Sequence, residues 1–283
     1  MDVANHTENE QRARWNGPSG RAWVETQQVL DEIFKPFEDL LAGRVPAGSS
    51  NSVVDIGCGT GATTLAAARR LGATGTAVGV DISEPMIETA RARARGENSR
   101  ATFVCADAQG YPFESGSADT IISRFGVMFF SDPVAAFANL RRAMKGGGEL
   151  HFFAWRSAAD NPFMTTAERA AAPLLPHLPP RRMDGPGQFA FAERAHVVGI
   201  LKDSGWTEID IQPADVQCRL PREVMNSFLT RFGPVGVALQ ETDEPLRARV
   251  IETVRAAFEP FVQGSEVRFT SACWSVAAFR PHA

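Results

Sequence analysis

The chain has 283 residues, 44% of them hydrophobic, so it can bury a sizeable core as one large domain or as one domain with an insertion. Its net charge of −4 provides no basic field for a phosphate backbone, which argues against nucleic acid as a partner. No stretch suits a signal sequence or membrane span, and the four scattered cysteines form no metal-ligand pattern, so we expect a cytoplasmic monomer or homodimer with reduced thiols and no metal.

The segment between residues 21 and 42 has apolar side chains at a spacing close to 3.6. Trp23, Ile33 and Phe37 are among them. This period predicts an amphipathic helix that leads into the core. We therefore expect residues 1–50 to form an N-terminal helical cap.

From Ser52 onward, short apolar runs alternate with helical segments. Asp132 is the expected N-cap of one of these helices, with Pro133 at its first position, and glycines 146–148 mark the turn that follows. The predicted strands are SVVDIG, TAVGVDI, ATFVCAD, DTIISRF and GELHFFAW. Such a β-α-β series predicts a parallel sheet covered by helices, over residues 51–155.

Residues 156–190 carry six prolines, too many for a long helix or an interior strand, and we expect a covering segment there. Gly205 suits the end of a helix that begins near Ala192. The remaining predicted elements are the strand WTEIDIQPADVQCRL, helical stretches at 222–239 and 246–261, and a last strand VRFTSACWSVAAFR. Residues 156–283 should therefore add a lid, the remaining strands and substrate-side helices to a single compact domain.

The most informative motif is VVDIGCGTGATT, at residues 53–64. A strand ends in Asp55, and a turn with Gly57, Gly59 and Gly61 leads into a helix. Residues without Cβ allow so tight a turn and let a ligand lie against the backbone. The G-x-G-x-G spacing differs from the G-x-G-x-x-G of pyrophosphate-binding turns, which lowers the case for a dinucleotide.

Two further carboxylates follow strands of the same series. Asp81 ends the second strand, where a carboxylate can accept hydrogen bonds from the hydroxyls of a ribose. Ser83 is the expected N-cap of the next helix. Asp107 and Ala108 end the third strand, at the sheet edge where open α/β sheets bind ligands.

In series, these motifs and the segment DTIISRFGVMFF resemble motifs I to IV of the class I S-adenosylmethionine-dependent methyltransferases. The similar branch is the ubiquinone and menaquinone C-methyltransferases, of methyltransferase type 11/25, and the resemblance covers about residues 50–155. It implies an α/β fold, with a Rossmann-like seven-stranded, mostly parallel sheet whose last strand is antiparallel. N-terminal helices and a helical lid would complete that fold.

The resemblance also implies S-adenosyl-L-methionine as cofactor and S-adenosyl-L-homocysteine as product. The turn formed by Gly57, Cys58 and Gly59 would pack against the methionine part, with Asp55 near its amino group. Asp81 would hold the ribose. The adenine would be flanked by Ile82 and Met86, with Asp107 and Ala108 at its edge.

The segment that follows the fourth strand should form the pocket floor and face the acceptor. Arg124 and Phe125 are the best placed for ligand contact because they lie at the strand end, whereas Phe129 and Phe130 suit core packing equally well. An Asn-Pro-Pro-Tyr-like motif is missing from this segment, which argues against nucleobase and protein amide substrates.

Trp15 and Trp23 precede the core and are unusual for a solvated helix. In related sequences such a helix folds over the cofactor, where aromatic faces attract the sulfonium. Alternatively, both rings pack the helix against the sheet.

Methyl transfer needs alignment in a dry pocket more than it needs a base. His177 in the proline-rich segment and His151 in the fifth strand are weak candidates for a base, since a lone histidine is more often structural. The catalytic residue therefore stays unassigned.

Three functions remain open. The first is C- or O-methylation of a small, hydrophobic molecule. The second is a cofactor-binding family member without methyl transfer, regulatory or otherwise repurposed. The third is a nicotinamide-dependent oxidoreductase, which the glycine spacing argues against.

Overall fold

The computed structural model describes residues 3–178 and 185–282, so Pro179 and Pro180 of the predicted covering segment lie outside the described residues. The helices are α1 (Val3–Asn16), α2 (Pro18–Glu25), α3 (Gln27–Ala42), α4 (Ala62–Arg70), α5 (Glu84–Gly96), α6 (Pro133–Ala143), α7 (Pro162–Ala171), α8 (Arg194–Asp203), α9 (Met225–Arg231), α10 (Gly233–Ala238) and α11 (Glu244–Ala257). The strands are β1 (Ser52–Ile56), β2 (Thr76–Asp81), β3 (Thr102–Cys105), β4 (Ala118–Arg124), β5 (Met144–Trp155), β6 (Thr207–Pro221), β7 (Val262–Gln263) and β8 (Glu266–Phe279). Within these ranges, no helix combines the length and the apolar character needed to cross a bilayer.

The strands form one mixed sheet in the order β3-β2-β1-β4-β5-β8-β6. Neighbours from β3 to β5 pair in parallel, and β8 runs antiparallel between β5 and β6. The predicted mostly parallel α/β sheet is confirmed. Its described part has eight strands where seven were expected, because the two-residue β7 pairs with the start of β8.

The sheet order determines where the helices lie. Strands β2 and β3 lie on one side of β1, whereas β4 and β5 lie on the other. Because crossovers between parallel strands are right-handed, α4 and α5 cover one face and α6 covers the opposite one. Helix α3 packs against α4 on the first face, and α8 packs against α6 on the second. The carboxyl ends of β1 to β4 are left accessible to a ligand.

The predicted helix over 21–42 is interrupted. Helix α2 ends at Glu25 and α3 begins at Gln27, with Thr26 between them. The Thr26 hydroxyl donates a hydrogen bond of 2.5 Å to the Ala22 carbonyl. Such a side chain to backbone bond bends helices, and here it separates two helices that the apolar period joins.

The glycine turn predicted at 146–148 is instead a bulge within β5. Met144 already pairs with Ala118, and regular pairing resumes at Glu149 opposite Thr120. Gly147 has a φ of +76°, and its N–H donates to the Arg280 carbonyl at 2.9 Å. The strand therefore begins earlier than its apolar pattern, since backbone pairing does not require apolar side chains.

The predicted helix ends are largely confirmed. Asp132 caps α6, because its carboxylate accepts a hydrogen bond from Ala135 N at 2.9 Å. Gly205 follows α8 with a φ of +84°. Ser83 occupies the N-cap position of α5, but its side chain makes no capping hydrogen bond and contacts α1 instead.

Helices α7, α9, α10 and α11 pack on one another and form what we call the lid. Phe163 of α7 anchors it to the sheet. Its ring stacks on Phe269 of β8 at 3.7 Å between centroids and meets the edges of Phe258 and Phe261. Stacked and edge-to-face rings bury a large apolar area in a defined geometry, so α7 has a fixed position on the sheet.

Asn161 makes a second connection between the lid and the sheet. It is fully buried, its Nδ2 donates to the Ala272 carbonyl at 2.9 Å, and its Oδ1 accepts from Ala272 N at 2.9 Å. The side chain amide thus pairs with β8 as a neighbouring strand would.

We predict that Asn161→Ala lowers the free energy of unfolding by ~1–3 kcal/mol, because the buried Ala272 N–H loses the Asn161 oxygen while the Ala272 carbonyl keeps only the hydrogen bond from Arg156 N. Urea denaturation followed by circular dichroism measures the change. Gln217→Ala removes an exposed amide hydrogen bond from the same sheet and serves as the control, with an expected loss below ~1 kcal/mol. Equal losses in the two variants would contradict the assigned role.

Candidate functional site

The turn that follows β1 has positive φ at three glycines. A Cβ on Gly57 would lie 2.6 Å from Gly126 Cα, and one on Gly61 would lie 2.9 Å from Ala90 Cβ. A Cβ on Gly59 would meet only Met86 Sδ, at 3.7 Å. The first and third glycines therefore allow close packing, whereas the second leaves its backbone open to a ligand.

The carboxylate of Asp81 connects this turn to the next one. One oxygen accepts from Gly59 N at 2.8 Å and the other from Ser83 N at 2.9 Å. Burial raises the pKa of Asp81, and these two backbone hydrogen bonds oppose that rise. Each carboxylate oxygen has a further lone pair, so Asp81 can also accept from the hydroxyls of a ligand.

A cavity of about 960 Å³ opens at the carboxyl ends of β1 to β4. The predicted cofactor residues that line it are Trp15, Trp23, Gly57, Cys58, Gly59, Asp81, Ile82, Met86, Asp107, Ala108, Arg124 and Phe125. Phe129 and Phe130 line it too, and they also pack on neighbouring rings, so both interpretations of these residues apply. The structure thus brings together residues from five separate stretches of the chain.

Asp55 is the predicted cofactor residue that does not line the cavity. It is 1% exposed, and one oxygen accepts from the Thr64 hydroxyl at 2.7 Å. Its other oxygen, Oδ1, has no hydrogen-bond partner in the described chain, and neither has Arg124 Nη1. Burial raises the pKa of Asp55 to about 7, although the charge of Arg124 opposes the rise. Arg124 lines the cavity, so its unsatisfied guanidinium nitrogen suits a ligand that carries a carboxylate, whereas contact of Asp55 with a ligand ammonium stays a prediction.

Helices α1 and α2, which we call the strap, close the cavity above the turn that follows β2. The Ser83 hydroxyl donates to the Trp15 carbonyl at 2.6 Å. The amide of Asn16 donates to the Ile82 carbonyl at 3.1 Å and accepts from Glu84 N at 2.9 Å. The strap thereby caps α5 and places the Trp15 ring in the cavity wall, nearly perpendicular to the Phe129 ring at 5.0 Å between ring centroids.

Helix α2 also contacts the lid. The Trp23 ring stacks on Phe34 at 6.3 Å and meets Phe232 edge to face at 6.1 Å. Glu25 forms a salt bridge of 2.7 Å with Arg231 of α9. The strap therefore connects the cofactor-side wall of the cavity to the lid.

The two candidate histidines lie in different places. His177 lines the cavity at its exposed rim. His151 is buried in β5 against a separate, smaller pocket, with Nε2 2.8 Å from Glu149 Oε2, and burial lowers its pKa. The structure does not bring His151 into the main cavity, and a catalytic role for His177 stays a prediction.

Sequence reasoning missed several polar residues of the cavity wall. Gln11 and Arg14 come from α1, which has no apolar period that could have revealed an inward face. Gln109 lies two residues beyond Asp107, and Glu168 comes from the lid. Their positions depend on contacts between segments far apart in sequence, which local patterns do not encode.

A family model described as a methyltransferase domain matches residues 53–148. The aklanonic acid methyltransferase DauC of Streptomyces sp. is 32% identical over 152 residues, which cover 52% of this chain and 69% of that protein. The chain belongs to the class I S-adenosylmethionine-dependent methyltransferases. The nocamycin O-methyltransferase of Saccharothrix syringae is 27% identical over 199 residues, which cover 67% of this chain and 71% of the relative.

Other comparisons extend over less of the relative or show the fold alone. An uncharacterised protein of Mycobacterium tuberculosis is 29% identical over 179 residues; they cover 62% of this chain, which spans 61% of that relative's length. YcgJ of Bacillus subtilis has a TM-score of 0.59 at 16% identity, over 88% of this methyltransferase and 100% of that chain. The [4+2]-cyclase SpnF has a TM-score of 0.54 at 19% identity, over 88% and 81%.

The cavity fits the cofactor of this family. Asp81 and the open backbone at Gly59 both line it, where they would meet the ribose hydroxyls and the methionine part. The unsatisfied nitrogen of Arg124 also lines it and would suit the carboxylate of the methionine part.

We predict that Asn16→Ala accelerates release of S-adenosylhomocysteine about tenfold, because the strap loses two hydrogen bonds to the turn after β2. Stopped-flow tryptophan fluorescence follows the release through Trp15 and Trp23. Arg12→Ala, on the exposed side of the same helix, is the matched control and should leave the rate unchanged. Equal release rates in both variants would show that these hydrogen bonds of the strap do not limit release.

We also predict that Asp55→Asn flattens the pH dependence of stability. The folded pKa of Asp55 is about 7 and its unfolded value is near 3.8, so its contribution is complete below pH ~4 and is lost as pH rises to ~7. The loss amounts to roughly 2–4 kcal/mol. Urea denaturation of the ligand-free protein across this pH range measures it.

Asp119→Asn, at the other end of the sheet, removes a carboxylate of the same charge and provides the control. The wild type and Asp119→Asn should lose stability in parallel with rising pH, and Asp55→Asn should lose less. A slope of Asp55→Asn equal to that of the wild type would contradict the assigned pKa.

Proposed function

We propose that this protein transfers the methyl group of S-adenosylmethionine to a small hydrophobic molecule, at carbon or oxygen, and releases S-adenosylhomocysteine. The observation that carries the proposal is one continuous cavity. It extends from the glycine turn and Asp81 to the apolar side chains of the lid. A cofactor and an acceptor can therefore lie next to each other in this cavity, with protein around both.

The size and walls of the cavity support a small-molecule acceptor. Its volume of about 960 Å³ is near the top of the range of ~300–1,000 Å³ for ligand pockets, as expected where two ligands share a site. The lid contributes Phe163, Leu229 and Phe232 to its walls. Two relatives are named as an aklanonic acid methyltransferase and a nocamycin O-methyltransferase, and these names also support a small-molecule acceptor.

The residues bind, orient and exclude water. Asp81 would hold the ribose, Ile82 and Met86 the adenine, and Asp55 with Arg124 the methionine part. When bound, the cofactor supplies a methyl carbon activated by a sulfonium. The Trp15 and Phe129 rings lie in the wall, where their faces favour positive charge. With the strap and the lid closed, the acceptor is aligned in a site of low dielectric constant.

The free thiols support a reducing compartment, and we place the protein in the cytoplasm. Cys58, Cys218 and Cys273 are buried and unpaired, and Cys105 is also free. Thiols that remain reduced are typical of cytoplasmic proteins.

Two measurements test the proposal in sequence. Calorimetric titration with S-adenosylmethionine, S-adenosylhomocysteine and NADH should give binding of the two adenosyl ligands and none of NADH. Asp81→Asn should weaken that binding by ~1.5–3 kcal/mol, and Asp119→Asn should not. Binding of NADH alone, or of no ligand, would overturn the proposal.

Turnover then separates the two remaining functions. Purified protein is incubated with S-adenosylmethionine and hydrophobic quinols, phenols and acids, and formation of S-adenosylhomocysteine is measured. Acceptor-dependent product supports methyl transfer. Tight cofactor binding without product from any acceptor favours a repurposed member of the family.

A further inference from the structure

The part of the cavity that the lid lines, which we call the acceptor half, has a wall of aromatic rings; the rest is the cofactor half. Phe228 and Phe232 of the lid lie 5.0 Å apart, Phe163 is 6.1 Å from Phe228, and Trp23 meets Phe232 at 6.1 Å. All four rings line the cavity. Neighbouring rings at these distances offer faces and edges to a flat guest, and aromatic pairs in such geometry are favourable beyond their buried area.

The Glu168 carboxylate lines the same cavity as these rings. Glu168 follows Met164 by one helical turn on α7, so both side chains are on the face of α7 that lines the cavity. Glu168 is half-buried, and its Oε1 lies 3.7 Å from where a Cβ on Gly233 would be. The carboxylate is therefore inside the acceptor half, close to the turn that begins α10.

The other ionisable side chains of this half lie at its rim. Among the described lining residues of the acceptor half, His177, Arg231 and Glu241 are exposed. Arg231 also forms the salt bridge with Glu25. Among the described residues of this half, Glu168 is thus the ionisable group that is not fully exposed and that an enclosed acceptor would meet.

We propose that the acceptor is a hydroxyaryl compound and that the Glu168 carboxylate removes the proton of its hydroxyl group. This proposal rests on the proposed methyl transfer and names its acceptor class. The hydroxyl proton passes to Glu168, the oxygen forms a bond to the methyl carbon, and the carbon–sulfur bond breaks with its electron pair on sulfur. The products are an aryl methyl ether, S-adenosylhomocysteine and protonated Glu168.

A hydroxyl suits this site better than a carboxylate acceptor. A carboxylate accepts hydrogen bonds at about four lone-pair positions, so Glu168 can receive an acceptor hydroxyl in addition to its existing contacts. An ionised acceptor carboxylate has no hydrogen to donate. It would also bring a second negative charge, beside that of Glu168, into the apolar acceptor half. The aromatic walls favour an aromatic ring in the acceptor, and Glu168 favours a hydroxyl group on that ring.

The test uses three naphthalene probes that differ in one group. 1-Naphthol is un-ionised near neutral pH, 4-nitro-1-naphthol is ionised because of its nitro group, and 1-naphthoate presents a carboxylate. S-adenosylhomocysteine formation is measured for the wild type and Glu168→Gln. We expect the variant to lose about 100-fold or more in kcat with 1-naphthol and less than about 10-fold with 4-nitro-1-naphthol, which needs no base.

Controls separate this role from a structural one. Glu252→Gln, on the exposed side of α11, should leave all rates unchanged. Equal losses with both naphthols would overturn the role of Glu168, and faster methylation of 1-naphthoate than of 1-naphthol would overturn the acceptor class. Absence of turnover with any probe, although S-adenosylmethionine binds, also overturns this assignment, whereas absence of binding overturns the proposed function itself.

Discussion

The site depends on one half-buried carboxylate at the end of β2. Asp81 accepts from Gly59 N and Ser83 N, so it fixes the turn after β1 to the turn after β2. Its negative charge lies near the N-terminus of α5, where helix dipoles stabilise anions. The strap is held by the same segment, since Ile82, Ser83 and Glu84 provide its hydrogen-bond partners. The predicted ribose contact and the closure of the cavity thus depend on the same short stretch of backbone.

Other buried charges surround the glycine turn and need compensation. Arg124 lies over the Phe34 ring, and the charges of Asp31, Asp55 and Glu38 favour its ionised form while burial lowers its pKa. Arg93 bonds both the Thr60 carbonyl, at 2.8 Å, and Asp31, at 2.7 Å.

This network extends from the turn to α5 and α3. Asp55 Oδ1 and Arg124 Nη1, which have opposite charge, lack hydrogen-bond partners among the described residues. Arg124 lines the cavity, so its unpaired nitrogen is available to a ligand carboxylate.

The sequence predicted those parts of the fold in which local pattern and burial agree. The strands from β1 to β5 are apolar because both sheet faces are covered, and the glycines are required where Cβ atoms would collide with Gly126 or Ala90. Long-range contacts decide the rest. Thr26 breaks a continuous apolar period by bonding the backbone, and α1 is polar yet provides Trp15 and Gln11 to the cavity.

The cofactor half of the site could be predicted from the sequence, whereas the acceptor half could not. The family model ends at residue 148, whereas the acceptor half is built by α7, α9 and α10 beyond it. Phe163 and Asn161 fix the lid to the sheet. The other cavity-facing side chains of α7 are not needed for that attachment, so their identity is free to follow the acceptor. Glu168 is on that face. Because α2 contacts the lid through Trp23 and Glu25, one element adjoins both the acceptor half and the cofactor half of the cavity and helps to shield both from water.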